Sequence, residues 1–590
     1  MYEDGFRARI PLFKDATERF YSGRIGAKEY KGISGGFGSY AQRGGEKGMV
    51  RLRMAGGRVS PEDLGLVCSA VGDHRPERIH MTTCQSIQLH GLSGRSIVEI
   101  VEEALEHGVV TCGGGGDFPR NVTATPLSGI IGSAEPDVQP FAKASERYLL
   151  DASEGMRLPR KLKAGFSNTM ENSTDATARD LGFVAAEGGR FDVYSGGGLG
   201  ADPKLGLLVA RGVEQKDVGC CLRAMLDLFA EHGNYRDRSR ARVRYIRDSL
   251  GDGGYAREFG RLLEAAMDDP SARMAVPGPI VVAKRGDGTV PRTPRAKPQR
   301  TEGLYYVTYH PIGGDPAPGR MAGILDAIEG MGQAEVRIGP NQTMYVVNLT
   351  GEEADAIAEA TSDGAANRFQ SSVSCVGATV CQMGLRDSRG LLDELVEMDR
   401  RNGFADGTLP TVRISGCASS CAAHQVGTLA FRGGASVGGE PAFEVHFDGS
   451  HVRGKERLGP VLGRMRSKDV PGFMEDLGRA VEASGKDFYG WSERDPRRVA
   501  EVAGDRLVRR CGRPPRGRWE EHPRPGWLIP ACPRAPPINL LYHPTNSYTE
   551  SFGRVSIRRE WLWMICSIRK GRRTAGRYLR SSPTCTMCTT

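Results

Sequence analysis

Between Met49 and Gly57 the chain alternates. Val50, Leu52 and Met54 are apolar, while Arg51 and Arg53 between them are basic, the period-two pattern of a half-buried strand. Gly56-Gly57 then turns the chain, and Leu64, Val67, Cys68 and Val71 recur at helical spacing. A further strand pair is predicted around Ile87-Gln88-Leu89. The whole pattern returns 257 residues later without a gap. Met49–Gly57 lies over Tyr306–Gly314, Ser60–Val71 over Ala317–Ile328, and Ile79–Leu92 over Val336–Leu349, with Gln85 over Gln342. Strand, helix and strands in this order predict a small α+β unit present twice, related by a pseudo-twofold axis.

Other segments are patterned differently. Val218, Leu222, Met225, Leu226 and Phe229 form one helical stripe ahead of Gly233. Arg236, Arg240, Arg244 and Arg247 follow with the spacing of one helix face, which predicts a solvated basic surface. Residues 271–302, rich in Pro, Gly and basic side chains, read as a linker between the halves. Beyond about Arg510 a Pro/Arg-rich tail without periodicity reads as disordered or frame-shifted sequence, and its Cys585-Thr-Met-Cys588 pair as incidental.

A chain of 590 residues, 39% hydrophobic and 26% charged, exceeds one core and predicts a soluble protein of several domains. With no long apolar run and no secretory leader, neither a membrane span nor export is expected, and the cytoplasm is the default location. The net charge of +9 suits an anionic ligand or an acidic partner as well as simple solubility. No basic stripe interleaved with aromatics supports nucleic-acid binding.

Fourteen cysteines in such a chain point to metal or redox chemistry rather than disulfides. Cys375 and Cys381 are separated by five residues, Cys417 and Cys421 by three, and small side chains fill both gaps. Two thiolate pairs suit a four-iron cluster. Zinc fits the five-residue gap less well, and unliganded core thiols remain an alternative.

Cys-x5-Cys followed by Cys-x3-Cys, with Ser415–His424 (SGCASSCAAH) as its second box, resembles the cluster motif of the sirohaem-dependent nitrite and sulfite reductases. Met81–Leu92 (MTTCQSIQLHGL) is similar to that family's TTRQ-type strand. Gly113–Gly129 is similar to its Arg-Asn-Val segment, Leu158–Ser167 (LPRKLKAGFS) to its Lys-x-Lys strand, and Ser195–Gly206 to its glycine-rich segment.

The resemblance implies an α+β fold: duplicated ferredoxin-like half-domains plus two mixed α/β cofactor-binding domains about a pseudo-twofold. The expected division is an N-terminal extension at 1–45, half-domains at 46–112 and 303–362, and a sirohaem and substrate domain at 113–270. A linker at 271–302, a 4Fe-4S and sirohaem domain at 363–510, and the tail at 511–590 complete it. The implied cofactors are a 4Fe-4S cluster on Cys375, Cys381, Cys417 and Cys421, and a sirohaem whose iron Cys421 bridges to the cluster. Arg120, Lys161 and Lys163 fall where the family's substrate-binding cations lie, and Gln85 and Asn121 are assigned to cofactor binding. The family usually has a fourth cation, an Arg, where this chain has Cys84.

Six-electron reduction of sulfite to sulfide, or of nitrite to ammonia, is the implied reaction. No nucleotide, flavin or additional ferredoxin fingerprint is visible, so electrons are expected from an external ferredoxin or flavoprotein. A non-catalytic cysteine-rich metal protein and a subunit of a dissimilatory sulfite reductase complex are the competing readings.

Overall fold

The computed structural model describes residues 2–132 and 136–508. The two halves of the repeat are antiparallel sheets backed by helices. In the first, Ser39–Ala41, Gly48–Arg53, Ser86–Leu92 and Arg78–Met81 are neighbours in that order, with helices Pro61–His74 and Gly94–Glu106. In the second, Ala296–Pro298, Tyr305–Tyr309, Met344–Leu349 and Glu335–Ile338 pair in the same sense, with helices Pro318–Ile328 and Gly351–Ala360. Equivalent side chains start equivalent helices: Ser93 accepts from the Ser96 amide, and Thr350 closes a capping box with Glu353.

The halves share one core, in which Val50, Leu52, Ile87 and Leu89 meet Val307, Val336, Ile338 and Val346. A short strand of the first half, Arg58–Val59, completes the second half's sheet through Val59 opposite Val336. Gln85 and Gln342 complete the joint. Both are fully buried with left-handed backbones, φ 55° and 65°. Gln85 Nε2 donates across the pseudo-axis to Ile338 O at 2.8 Å, and Gln342 Nε2 donates back to Met81 O at 3.2 Å. Each amide also grips the first strand of a neighbouring lobe. Gln85 holds Ala124 O and N (2.8 and 2.9 Å), and Gln342 holds Ser374 O and N (2.8 and 3.1 Å).

Those lobes repeat too. Thr123–Ala124, Ala164–Ser167, Leu181–Ala186, Arg190–Ser195 and Leu207–Val213 form one sheet. Val373–Ser374, Val412–Ser415, Leu429–Val437, Glu440–Phe447 and Val461–Arg466 form the other. In both, the first three strands are parallel and the last two antiparallel. Helices Gln139–Ala152 and Val218–His232 serve the first lobe, and Ser388–Asn402 and Val470–Ala483 the second.

Three expectations are corrected. Residues 1–45 are not an appendage: helix Tyr2–Tyr21 sinks Phe6 and Phe13 into the shared core, and Ser39–Ala41 is an edge strand of the first sheet. Residues 271–302 are not a free linker. Lys284 Nζ meets Glu353 at 2.6 Å, Arg292 meets Asp355 at 3.0 Å, and Ala296–Pro298 joins the second sheet. The arginine run is not one exposed face either. Arg238–Arg240 is a short 3-10 turn, the helix runs Arg244–Asp268, and Arg244 is only 4% exposed.

The tail with Cys511, Cys532, Cys566, Cys585 and Cys588 lies outside the described residues. It holds 16 of the 80 Lys and Arg but only 4 of the 71 Asp and Glu, so residues 1–508 carry 64 basic against 67 acidic side chains. Positive charge in the body of the chain is therefore local.

Gln342→Leu leaves Met81 O, Ser374 O and Ser374 N buried and unpaired. At ~1–3 kcal/mol for each such group, the substitution costs more than ~2 kcal/mol, read as a lower denaturant midpoint. A midpoint equal to that of the wild type would contradict the account.

Candidate functional site

The four predicted cysteines come together on two loops of the second lobe. Cys375 ends the first strand of that sheet, with Cys381 on the following loop, while Cys417 and Cys421 follow strand Val412–Ser415. The Cys375 sulfur lies 3.1 Å from Ser388 Oγ and accepts from the Gly416 amide at 3.2 Å. Cys375, Cys381 and Cys417 are partly exposed, and Cys421 opens furthest to solvent. The protein around Cys421, with the Cys375, Cys417 and Cys381 thiols, pushes its pKa up to about 12, and Lys161 opposes them. Among the described residues no three of these sulfurs close to within 4.8 Å of one another. A single tetrahedral ion with ~2.3 Å metal–sulfur bonds needs them nearer, whereas a cube of iron and sulfide holds its cysteines at separate corners.

Other units clamp these loops. Arg43, ahead of strand Gly48–Arg53, donates from its backbone to Val380 O at 2.9 Å and from its guanidinium to Gly384 O at 2.7 Å. Thr83 Oγ1 donates to Cys421 O at 2.6 Å, and Gln425 Nε2 to Gly200 O at 2.8 Å. The predicted glycine-rich turn is therefore placed against the cysteine loop, where Gly200 lies beside Ala418 O.

Facing Cys421 is a pocket of cations. Lys161 has no ion-pair partner among the described residues. Burial, with Lys163, Arg242 and Arg120 around it, holds its pKa well below the usual lysine range. Burial also brings Arg120 down to about 10, and its guanidinium, with that of Arg51, is fixed on Gly114 O. The Gly113–Gly116 run supplies these carbonyls, which is the use of that turn. Arg242 is fastened to Asp180 at 2.8 Å. Arg244 presents Nε and Nη1 with no partner, beside Gly198 and Gly200, and Arg120 Nε and Arg242 Nε are likewise buried and unpaired. Sequence reading missed Arg51, Arg242 and Arg244. The basic stretch before Arg247 was the available signal, and it was assigned to solvent.

Cys84 stands in this pocket. Lys163 Nζ donates to its sulfur at 3.3 Å. Burial alone would raise the thiol, but Lys163, Arg179 and Arg51 outweigh it and bring the pKa down to about 6. The missing family cation is thus replaced by a thiol whose pKa the surrounding cations lower.

Two assignments change. Gln85 commits its amide to Gly56 O, Ala124 O, Ile338 O and Ala124 N, leaving nothing for a cofactor; it is a joint residue. Asn121 Nδ2 is likewise spent on Met54 O, Cys84 O and Gln85 O, and only its buried Oδ1 is without a partner.

The first lobe repeats the cysteine loop without its cysteines. Asn172 and Ser420 share a left-handed φ (51° and 57°), as do Asp175 and Ala423 (53° and 54°), and a short 3-10 turn follows in each. At this spacing Thr169 and Ser173 stand where Cys417 and Cys421 stand in the second lobe.

Comparison with known proteins agrees with this architecture. The family model for the nitrite/sulfite reductase ferredoxin-like half domain matches residues 40–107 and 297–363, and that for the nitrite and sulphite reductase 4Fe-4S domain matches 115–265. The chain belongs to the nitrite and sulfite reductase family. The 4Fe-4S domain match falls on the first lobe, whereas the four cysteines lie on the second.

Family relatives include a sulfite reductase [ferredoxin] of Mycolicibacterium paratuberculosis, 25% identical over 76% of this chain and 82% of that protein. A sulfite reductase [NADPH] hemoprotein beta-component of Bacillus subtilis is 26% identical, covering 68% and 77%. An assimilatory ferredoxin-dependent nitrite reductase of Haloferax mediterranei is 26% identical, covering 79% and 85%. The structure of the Mycobacterium tuberculosis NirA protein shares the fold, with a TM-score of 0.68 at 21% identity over 82% of this chain and 94% of that one.

The family's cofactors are a 4Fe-4S cluster and sirohaem, and the residues present fit both. Four spaced thiols suit the cluster. Unpaired guanidinium nitrogens around a glycine turn suit a macrocycle edged with carboxylates.

Lys163→Met removes the nearest cation from Cys84, so the thiol should titrate well above 6. Mass spectrometry of the iodoacetamide-labelled Cys84 peptide across pH reads the change, and an unmoved midpoint would refute the pairing.

Proposed function

We propose that this chain catalyses the six-electron reduction of sulfite to sulfide, with nitrite to ammonia as its second reaction. One observation carries the reading: the thiols Cys375, Cys381 and Cys417 gather around Cys421, and Lys161, which has no ion-pair partner among the described residues, acts on that same sulfur. Sulfite is put first because relatives in Mycolicibacterium and Bacillus are named sulfite reductases, while the Haloferax relative is named a nitrite reductase.

The four cysteines would hold the cluster, with Cys421, the most open of them, on the side of the macrocycle. Arg242 and Arg244, beside the glycine turn, would take its carboxylates. When bound, these groups supply the electrons and the iron that receives the substrate's central atom.

The chain's own residues do the remainder. Arg120 has its fork directed by Gly114 and Gly116 carbonyls, so it presents a fixed charge to an oxyanion instead of a swinging one. Lys161 and Lys163 lie two apart, and their ammonium groups reach one pocket. An ammonium whose pKa is lowered by burial gives up a proton readily, so Lys161 Nζ is suited to protonating oxygen as it leaves in water. Recharging comes from outside, through a ferredoxin or a flavoprotein donor. Relatives named for ferredoxin and for NADPH support either.

Reconstituted protein with reduced methyl viologen should consume sulfite and release sulfide, and consume nitrite more slowly. Lys161→Ala combined with Lys163→Ala should lower turnover at least ~100-fold, the scale of lost general acid catalysis, while leaving the visible spectrum intact. Cys421→Ser should disturb that spectrum as well as turnover. Full turnover in the Cys421 variant would remove it from the centre.

A further inference from the structure

We propose that Cys84 selects substrate by charge, making this pocket prefer singly charged anions, nitrite and hydrogensulfite, over the sulfite dianion. The inference rests on the reaction proposed above and deepens it.

Four observations support it. Cys84 and Lys163 are in contact at 3.3 Å, so the lysine's charge is answered inside the pocket before any substrate arrives. The charged groups that act most strongly on Cys84 besides Lys163 are cations, Arg179 ahead of strand Leu181–Ala186 and Arg51 on strand Gly48–Arg53, with Arg120 beyond Gly113–Gly116 also within reach; the nearby carboxylate, Asp180, is tied to Arg242 and to the Lys163 amide. Their field favours the thiolate, consistent with a pKa near 6. Two of them are already engaged, since Arg51 and Arg120 both donate to Gly114 O.

Asn121 is the fourth. It is 4% exposed and held by Nδ2 on the Cys84 carbonyl at 2.7 Å, and its Oδ1 has no donor. That bare acceptor, on a side chain bound to the Cys84 carbonyl, adds negative potential at this loop, which weighs twice as heavily on a dianion as on a monoanion.

An arginine at position 84 would place two units of charge more in the pocket than the thiolate does. At a separation of a few ångströms in a partly enclosed site, a change of that size alters anion affinity by on the order of tenfold or more.

The test uses the reconstituted full chain and reads binding from the shift of its visible spectrum, apart from turnover. Sulfite and nitrite are titrated at about pH 7 and about pH 9, a window across which nitrite keeps one charge while hydrogensulfite gives way to sulfite. The sulfite dissociation constant, divided by that of nitrite, should rise at least ~10-fold across this window in the wild type. In Cys84→Arg the ratio should stay nearly level. Cys84→Ser, of similar size and without charge, should fall between them and guards against an arginine that disturbs folding.

A wild-type ratio that does not change with pH, or a Cys84→Arg ratio that rises as steeply as the wild type's, overturns the proposal and leaves the reductase reading standing. A wild-type spectrum that neither anion shifts overturns both.

Discussion

The structure depends on a closed joint between two copies of one unit. Each ferredoxin-like half ends a turn in a buried glutamine whose amide crosses to the opposite half and reaches the first strand of a lobe. A buried amide has few ways to satisfy its donors and acceptor, and here each bond ties a different element. The left-handed backbone at Gln85 and Gln342 is the strained feature that lets the side chain turn inward. The neighbouring glycines complete the fit: a Cβ on Gly57 would lie 2.1 Å from Ile338 O, and one on Gly314 2.8 Å from Met81 O. Two halves fixed this tightly hold their lobes in fixed register, and the pocket is bounded by residues from both.

How much of this was legible in the sequence follows the same physics. The ferredoxin-like repeat could be read at a constant spacing because its strands and helices bury alternate and helical positions with no insertion between copies. The lobe repeat could not. Ala164 and Val412 are 248 residues apart but Val218 and Val470 are 252 apart, and few side chains agree, because one copy carries cysteines where the other carries Thr169 and Ser173. The four cluster cysteines were legible since thiolate chemistry fixes residue type as well as spacing. Gln85 was misjudged for the opposite reason. An amide joining backbone groups and an amide meeting a cofactor look alike in sequence, and only burial tells them apart.

Charge was the least legible property. The net +9 suggested a basic molecule, but the excess sits beyond residue 508, and the rest of the chain is slightly acidic. What matters is concentration. Arg51, Arg120, Lys161, Lys163, Arg179, Arg242 and Arg244 come from separate stretches and act on one space. Arg244 shows how misleading local pattern can be, since helical spacing assigned it to solvent while tertiary packing buried it with two nitrogens unpaired. Like charges gathered in an enclosed space repel, and a fold holds them so only when an anion is to be bound there.

The loop Thr82–Gln85 joins these themes within four residues. Thr82 folds the loop by accepting from the Cys84 and Ser86 amides, Thr83 touches the Cys421 carbonyl, Cys84 meets Lys163, and Gln85 closes the joint. Three of the four are bound by geometry to backbone groups, so substitution there would loosen the cysteine loop or the joint itself. Cys84 alone contributes to the pocket through its side chain without supporting another element. It is therefore the position at which the charge of the site can change while its architecture does not, and a fold shared by enzymes acting on anions of different charge would vary there first.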